Sequence, residues 1–205
     1  CELLHYVDMT TFYPFIPEDT AYFGESIAIS NSVLAVGAPD ADDNGPYSGN
    51  VEVFQFDGED WDNGMKLTAA DAQTHDHFGN SVAVDGNTVI VGAIGGKNYA
   101  GIKTGSVYVH HVSGNTWTQF EINPQDGQPH ADFGSSVAID GDYLVVGAQW
   151  GSTYISGAGA AYIYKYDGVS WQFQQKLNDP NSLFYGRFGS SVAISGDVIV
   201  VGAPG

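Results

Sequence analysis

The chain has 205 residues with 24 Asp+Glu against 6 Lys+Arg, a formal charge of −18. So acidic a surface repels nucleic-acid phosphates and anionic lipid, while 43% hydrophobic and 13% aromatic residues exclude a disordered acidic tail. Gly at 27 residues, nearly twice the usual ~7%, points to short strands joined by tight turns.

Residues 1–22 hold a single strand near residues 6–12, with Tyr6 in a place that Trp takes later in the chain. A fuller pattern begins at Phe23-Gly24. Ser26-Ile27-Ala28-Ile29 reads as a first strand, and a tight turn centred on Asn31 leads to an almost wholly apolar second strand, as suits burial on both faces. The third strand begins at Gly49-Asn50-Val51. A turn at Gly58 leads to a fourth that opens with Trp61 and ends near Leu67.

The next Phe-Gly, Phe78-Gly79, comes 55 residues later, and the order returns: Ser81-Val82-Ala83-Val84, a turn at Gly86, Val89-Ile90-Val91, Gly105-Ser106-Val107, Gly114, Trp117 and Ile122. From Phe133-Gly134 it returns again through Gly141, Leu144-Val145-Val146, Gly159-Ala160-Ala161, the alternating Tyr162, Tyr164 and Tyr166, Gly168, Trp171 and Leu177. Phe188-Gly189 opens a further unit that reaches Gly202-Ala203. Only Gly or Asn stands at the first-to-second turn, because these residues tolerate positive φ in a two-residue hairpin.

Trp117 sits one residue late in its unit and the segment after it is one residue shorter, so the period is restored at the next Phe-Gly. A repeat length held constant despite internal drift means that the units meet in register. The fold is therefore expected to be all-β, a partial β-propeller of four-stranded antiparallel blades with a 55-residue repeat. The whole of 1–205 is one propeller segment. Residues 1–22 bring the last strand of a preceding blade, blades follow at 23–77, 78–132 and 133–187, and 188–205 supply the first two strands of another.

Phe-Gly, then Ser-Val-Ala, then Val-Gly-Ala-Pro (Val36 to Pro39 and Val201 to Pro204) resembles the FG-GAP repeat, which builds the propeller of integrin α-subunit heads and occurs in many bacterial secreted or surface proteins. The short hairpin, the Trp and the stretch Lys66-Leu67-Thr68-Ala69-Ala70-Asp71 look more like the bacterial variety. Integrin-type repeats carry an Asp-rich calcium loop between the first and second strands. Here that connection is a bare turn, as at Asp85-Gly86-Asn87, so those calcium sites do not carry over.

In an up-and-down meander the tight turns share one face, and the long connections share the other: 39–48, 94–104 and 149–158, with 13–22, 68–77, 123–132 and 178–187. Binding usually sits on variable loops of a rigid scaffold, so the long-loop face is the candidate surface. Tyr47, Tyr99, Trp150 and Tyr154 are its candidate ligand-binding residues, with Phe184 and Tyr185 nearby. Amphipathic rings of this kind suit a protein or carbohydrate ligand. Asp40, Asp42, Asp43 and Asn44 form a run of oxygen ligands, with Gly45 allowing the turn, and calcium is the cation they would take. His75, Asp76 and His77 precede Phe78, and on a strand the two imidazoles would share a face. His130, with Asp132, holds the matching place one unit later, but the remaining units have Thr20 and Tyr185 there, so the repeat itself builds no metal site. His110 and His111 are adjacent on a third strand and face opposite ways.

No Gly-x-Ser-x-Gly, phosphate-binding loop or His-Glu-x-x-His sequence occurs, so no catalytic residue is assigned. The leading expectation is a non-enzymatic extracellular or cell-surface module for adhesion, ligand binding or assembly through the long-loop face. Its alternatives are a polysaccharide-degrading propeller and a structural subunit of a surface filament, self-associating through open blade edges. Secretion rests on the family resemblance. No apolar run approaches the ~18 residues of a membrane span. Cys1, the lone cysteine, reads either as a lipidated first residue or, better, as a fragment boundary, since Tyr6 leaves no tether.

Overall fold

The structure is a computed structural model that describes residues 11–14, 21–98, 100–113, 116–151, 157–181 and 184–205, and among these no helix occurs. Strands β1 (Ser26–Ser30), β2 (Val33–Ala38), β3 (Asn50–Gln55) and β4 (Met65–Leu67) form a four-stranded antiparallel sheet in chain order. A second sheet joins β5 (Phe78–Asp85), β6 (Thr88–Ala93), β7 (Ser106–Ser113) and β8 (Thr116–Ile122). A third joins β9 (Phe133–Asp140), β10 (Tyr143–Ala148), β11 (Ala160–Tyr166) and β12 (Trp171–Leu177). β13 (Ser191–Ser195) and β14 (Val198–Gly202) pair as a two-stranded sheet. Each first strand packs on the first two strands of its neighbour: β5 on β1 and β2, β9 on β5 and β6, β13 on β9 and β10. These are the blades of a partial β-propeller.

The apolar second strands are buried along their length, every residue of β2 among them. Val89, Val91 and Tyr108 of the second sheet pack against Val33, Ala35, Val51 and Val53 of the first. Ile90, Val107 and Val109 turn the other way, onto Leu144, Val146 and Tyr162 of the third. The second sheet thus hides both faces because it has neighbours on both sides.

The repeated signature residues make the joints. Phe78 and Phe133 are fully buried against Tyr108 and Tyr162, with ring centroids 5.3 and 5.2 Å apart. Just after them, the chain passes so close to the preceding sheet that a Cβ on Gly92 would lie 2.1 Å from the Gly134 carbonyl oxygen. Ser26, Ser81 and Ser136 donate their hydroxyls to the carbonyls of Gly79, Gly134 and Gly189 at 2.7, 2.7 and 2.9 Å. At the opposite end of the first strands, the turn N–H groups of Gly86, Gly141 and Gly196 donate to Ser30, Asp85 and Asp140 at 3.2, 2.8 and 2.6 Å. Every joint between successive sheets is therefore pinned at two heights.

One expectation changes. The fourth strand of the first sheet does not run from Trp61; it is β4 alone, with Trp61 held by a lone bridge to Phe56. Asp62 explains the break, since its Oδ1 accepts both the Gln55 and the Gly64 N–H at 2.9 Å and bends the chain away from the ladder. The strand expected near residues 6–12 falls mostly outside the described residues. Thr11 and Phe12 are described and form no strand, and Phe12 packs on Phe54 and Trp61. The length drift takes a definite form: β7 and β8 pair without interruption, whereas β12 carries a bulge at Gln174, opposite Ile163 and Tyr164.

Candidate functional site on the long-loop face

The residues one and three places before Phe-Gly adopt left-handed backbone conformations in the described units. Tyr22, His77, Asp132 and Arg187 have φ of 52, 52, 54 and 51°; His75, His130 and Tyr185 have 66, 56 and 63°. Such values are unusual for residues with a Cβ and persist only when surrounding structure holds them. Here backbone bonds hold them. His75 and His77 donate to the carbonyls of Pro46 and Tyr47 at 2.9 and 3.0 Å, His130 to Lys103 at 2.7 Å and Arg187 to Gly157 at 3.1 Å. The His75-Asp76-His77 segment is therefore a looped joint, and the expected strand geometry does not apply to it.

At the first junction Tyr47, itself at φ 56°, stacks on His75 with centroids 5.1 Å apart and planes 14° apart. The His77 ring lies 5.9 Å from Tyr47, and its Nδ1 meets Asp40 Oδ1 at 2.9 Å. A hollow of about 310 Å³ opens beside this pair, bounded by Tyr22, Asn80 and Ile94. Asp76 turns inward instead and is 4% exposed, with the Gln73 N–H on its Oδ2 at 2.6 Å. Burial pushes its carboxyl up, against the pull of that hydrogen bond.

The second junction places Gly95 where the first has Asp40. Asp132 there accepts from Gln149 Nε2 at 3.3 Å, and burial pushes its carboxyl up. At the third junction Trp150 takes that place, with the Arg187 guanidinium 4.6 Å over its ring and Tyr185 edge-on at 6.3 Å. Sequence spacing alone did not reveal Arg187, because its partner is set by the joint between two sheets.

Of the four aromatic candidates, Tyr47 and Trp150 therefore serve different junctions and do not form one platform. Tyr99 and Tyr154 lie outside the described residues. The acidic run is likewise divided among partners. Asp40 engages His77, Asp42 Oδ1 accepts the Tyr47 N–H at 2.8 Å, and Asp43 meets Lys66 Nζ at 2.6 Å and the Asn50 amide. The Asn44 N–H donates to Ser48 Oγ at 3.0 Å. Among the described residues no three His, Cys, Asp or Glu side chains gather around one point.

The FG-GAP repeat family matches residues 17–54, 61–110, 117–164 and 171–205. The chain belongs to the FG-GAP repeat family. No protein of curated function matches it. The matched segments of this FG-GAP chain do not coincide with its sheets. The one from Trp61 to His110 takes the last strand of the first sheet and three strands of the second, and the one from Trp117 to Tyr164 does the same one sheet later. Each family repeat thus spans a junction, the place where the left-handed residues stand. No helix among the described residues is long and apolar enough to cross a membrane.

Proposed function

We propose that this FG-GAP propeller segment is a non-catalytic, extracellular or cell-surface binding module whose long-loop face takes a protein partner. The observation that carries the reading is a contrast within the chain. The serine-to-glycine bonds below the surface use the same residue types at every joint, while the positions above them carry Asp40 with His77, then Asp132 with Gln149, then Trp150 with Arg187. A constant frame with a changing surface is how a repeat scaffold makes a specific face. Mixed charge beside half-exposed aromatic rings matches protein interfaces. The extracellular setting rests on the habit of the family.

The test sets the wild-type chain and a Tyr47→Ala, Tyr99→Ala, Trp150→Ala, Tyr154→Ala variant against an array of extracellular proteins and glycans. Binding to a protein that the variant loses supports the reading, and binding that survives all four changes refutes it. Calcium at Asp40–Asn44 would have to displace Lys66 from Asp43, so Lys66→Met is the form in which to titrate it.

A second reading, assembly into larger structures, draws on the outer faces of the terminal sheets. Ile27 and Ile29 on β1, and Val198 and Val200 on β14, are 61–63% exposed. Filaments that grow with concentration under negative stain would favour it.

A further inference from the structure

At the tight-turn face, remote from the long loops, the second and third sheets part to leave a slot of about 380 Å³. Val109, itself buried, closes the floor. Aromatic rings from both sheets form the sides. Phe120 projects from β8 at 49% exposure, and Tyr166 and Trp171 stand opposite with centroids 5.4 Å apart. Polar groups line the mouth: the Thr88 hydroxyl and His111 Nδ1 lie 3.2 Å apart, facing the Gly141-Asp142 turn.

A hollow of about 410 Å³ stands at the same place in the next joint, with Gln174 and Gln175 on the wall that Phe120 forms here, so the facing aromatic rings, and not the opening, are particular to this junction. Val33, 55 residues before Thr88, is 3% exposed and belongs to the packed core between the first two sheets. The cross-strand place of Phe120, opposite Val109, is held by Met65 opposite Val53 in the first sheet and by Gln175 opposite Ile163 in the third. An aromatic ring at position 120, where the other complete sheets have Met65 and Gln175, gives this opening a stacking wall that the other joints lack.

We propose that this slot binds a neutral sugar, one or two pyranose rings long. A sugar ring has apolar C–H faces that stack on aromatic side chains, and equatorial hydroxyls that satisfy a mouth of mixed donors and acceptors. The volume lies at the small end of the ~300–1,000 Å³ typical of ligand sites. Charge selects among sugars: a chain of −18, with Asp142 at the mouth, repels uronates and sulfated glycans. This site is independent of the long-loop face.

Saturation-transfer NMR on the intact chain tests the proposal, with cellobiose, maltose and lactose as probes. At least one should receive saturation. Phe120→Ala should weaken its binding by about tenfold, and Thr88→Val, which removes the hydroxyl at the mouth at almost unchanged volume, should weaken it severalfold as well. Tyr47→Ala, on the other face, should leave it unchanged. Phe120 is half exposed and Thr88→Val follows the repeat, so thermal melts of both variants should match the wild type. Transfer to none of the three sugars, or equal affinity in wild type and both slot variants, overturns the proposal.

Discussion

Gly105 has φ of 81°, and a Cβ there would lie 2.1 Å from the Phe133 carbonyl oxygen. Neither the backbone nor the neighbour can yield, because the Phe133 N–H is bonded to the Thr104 carbonyl at 2.9 Å. Gly105→Ala should lower the unfolding free energy by about 2–4 kcal/mol, read from urea denaturation. His110 makes a different prediction. Burial pulls its imidazole down to about 4 from the ordinary 6.5. The unfolded chain binds that proton near pH 6.5 and the folded chain only near pH 4. Stability that is whole above pH 6.5 therefore drains as pH falls toward 4, by about 3 kcal/mol in all. Asp76, Glu121 and Asp132, whose carboxyls burial pushes up, act in the opposite sense and gain stability as pH falls. His110→Phe, which copies Phe54 of the first sheet, separates the two effects. Between pH 7 and pH 5 the wild type should lose stability relative to this variant, and parallel urea midpoints would contradict the assignment.

Among elements, the paired bonds at each joint are the testable feature. Ser136→Ala removes the donor to Gly189 O without touching the core, and should lower the unfolding free energy by about 1 kcal/mol, seen as a lower urea midpoint with the slope unchanged. An unmoved midpoint would mean that packing alone holds the sheets. These joints were legible in the sequence because each mark has a backbone duty: the Phe fills a pocket, the Gly clears a carbonyl, the Ser bonds it. Such duties admit few residue types, so they recur at fixed spacing. The left-handed His75 and His77 were not legible, since nothing in a His announces positive φ when the cause is a carbonyl on another loop. Nor was the break after Trp61, where one carboxylate of Asp62 overrules a strand pattern. The Trp150–Arg187 contact joins loops of separate sheets, and no local spacing encodes it.

For the whole molecule, the charge and the terminal faces pull in opposite directions. Net −18 holds copies of the chain apart, while exposed Ile27, Ile29, Val198 and Val200 invite contact. Raising salt should therefore increase association in sedimentation velocity, and a Val198→Asp, Val200→Asp variant should stay monomeric at the same salt. Association that persists in the variant would move the contact elsewhere on the surface.

The straddling of sheets by the family repeat bears on how such chains change length. Excising residues 78–132 would join His77 to Phe133 and bring Asp71 to the place of Asp126, which now accepts the Tyr162 hydroxyl at 2.9 Å. Ser26 would find the Gly134 carbonyl and Ser30 the Gly141 N–H, each a counterpart of its present partner. A cooperative melt for that shortened chain is the expected result. Duplication or loss of one unit by unequal recombination would then leave every surviving joint with a suitable partner, and blade number could drift across lineages while the joint chemistry stays fixed.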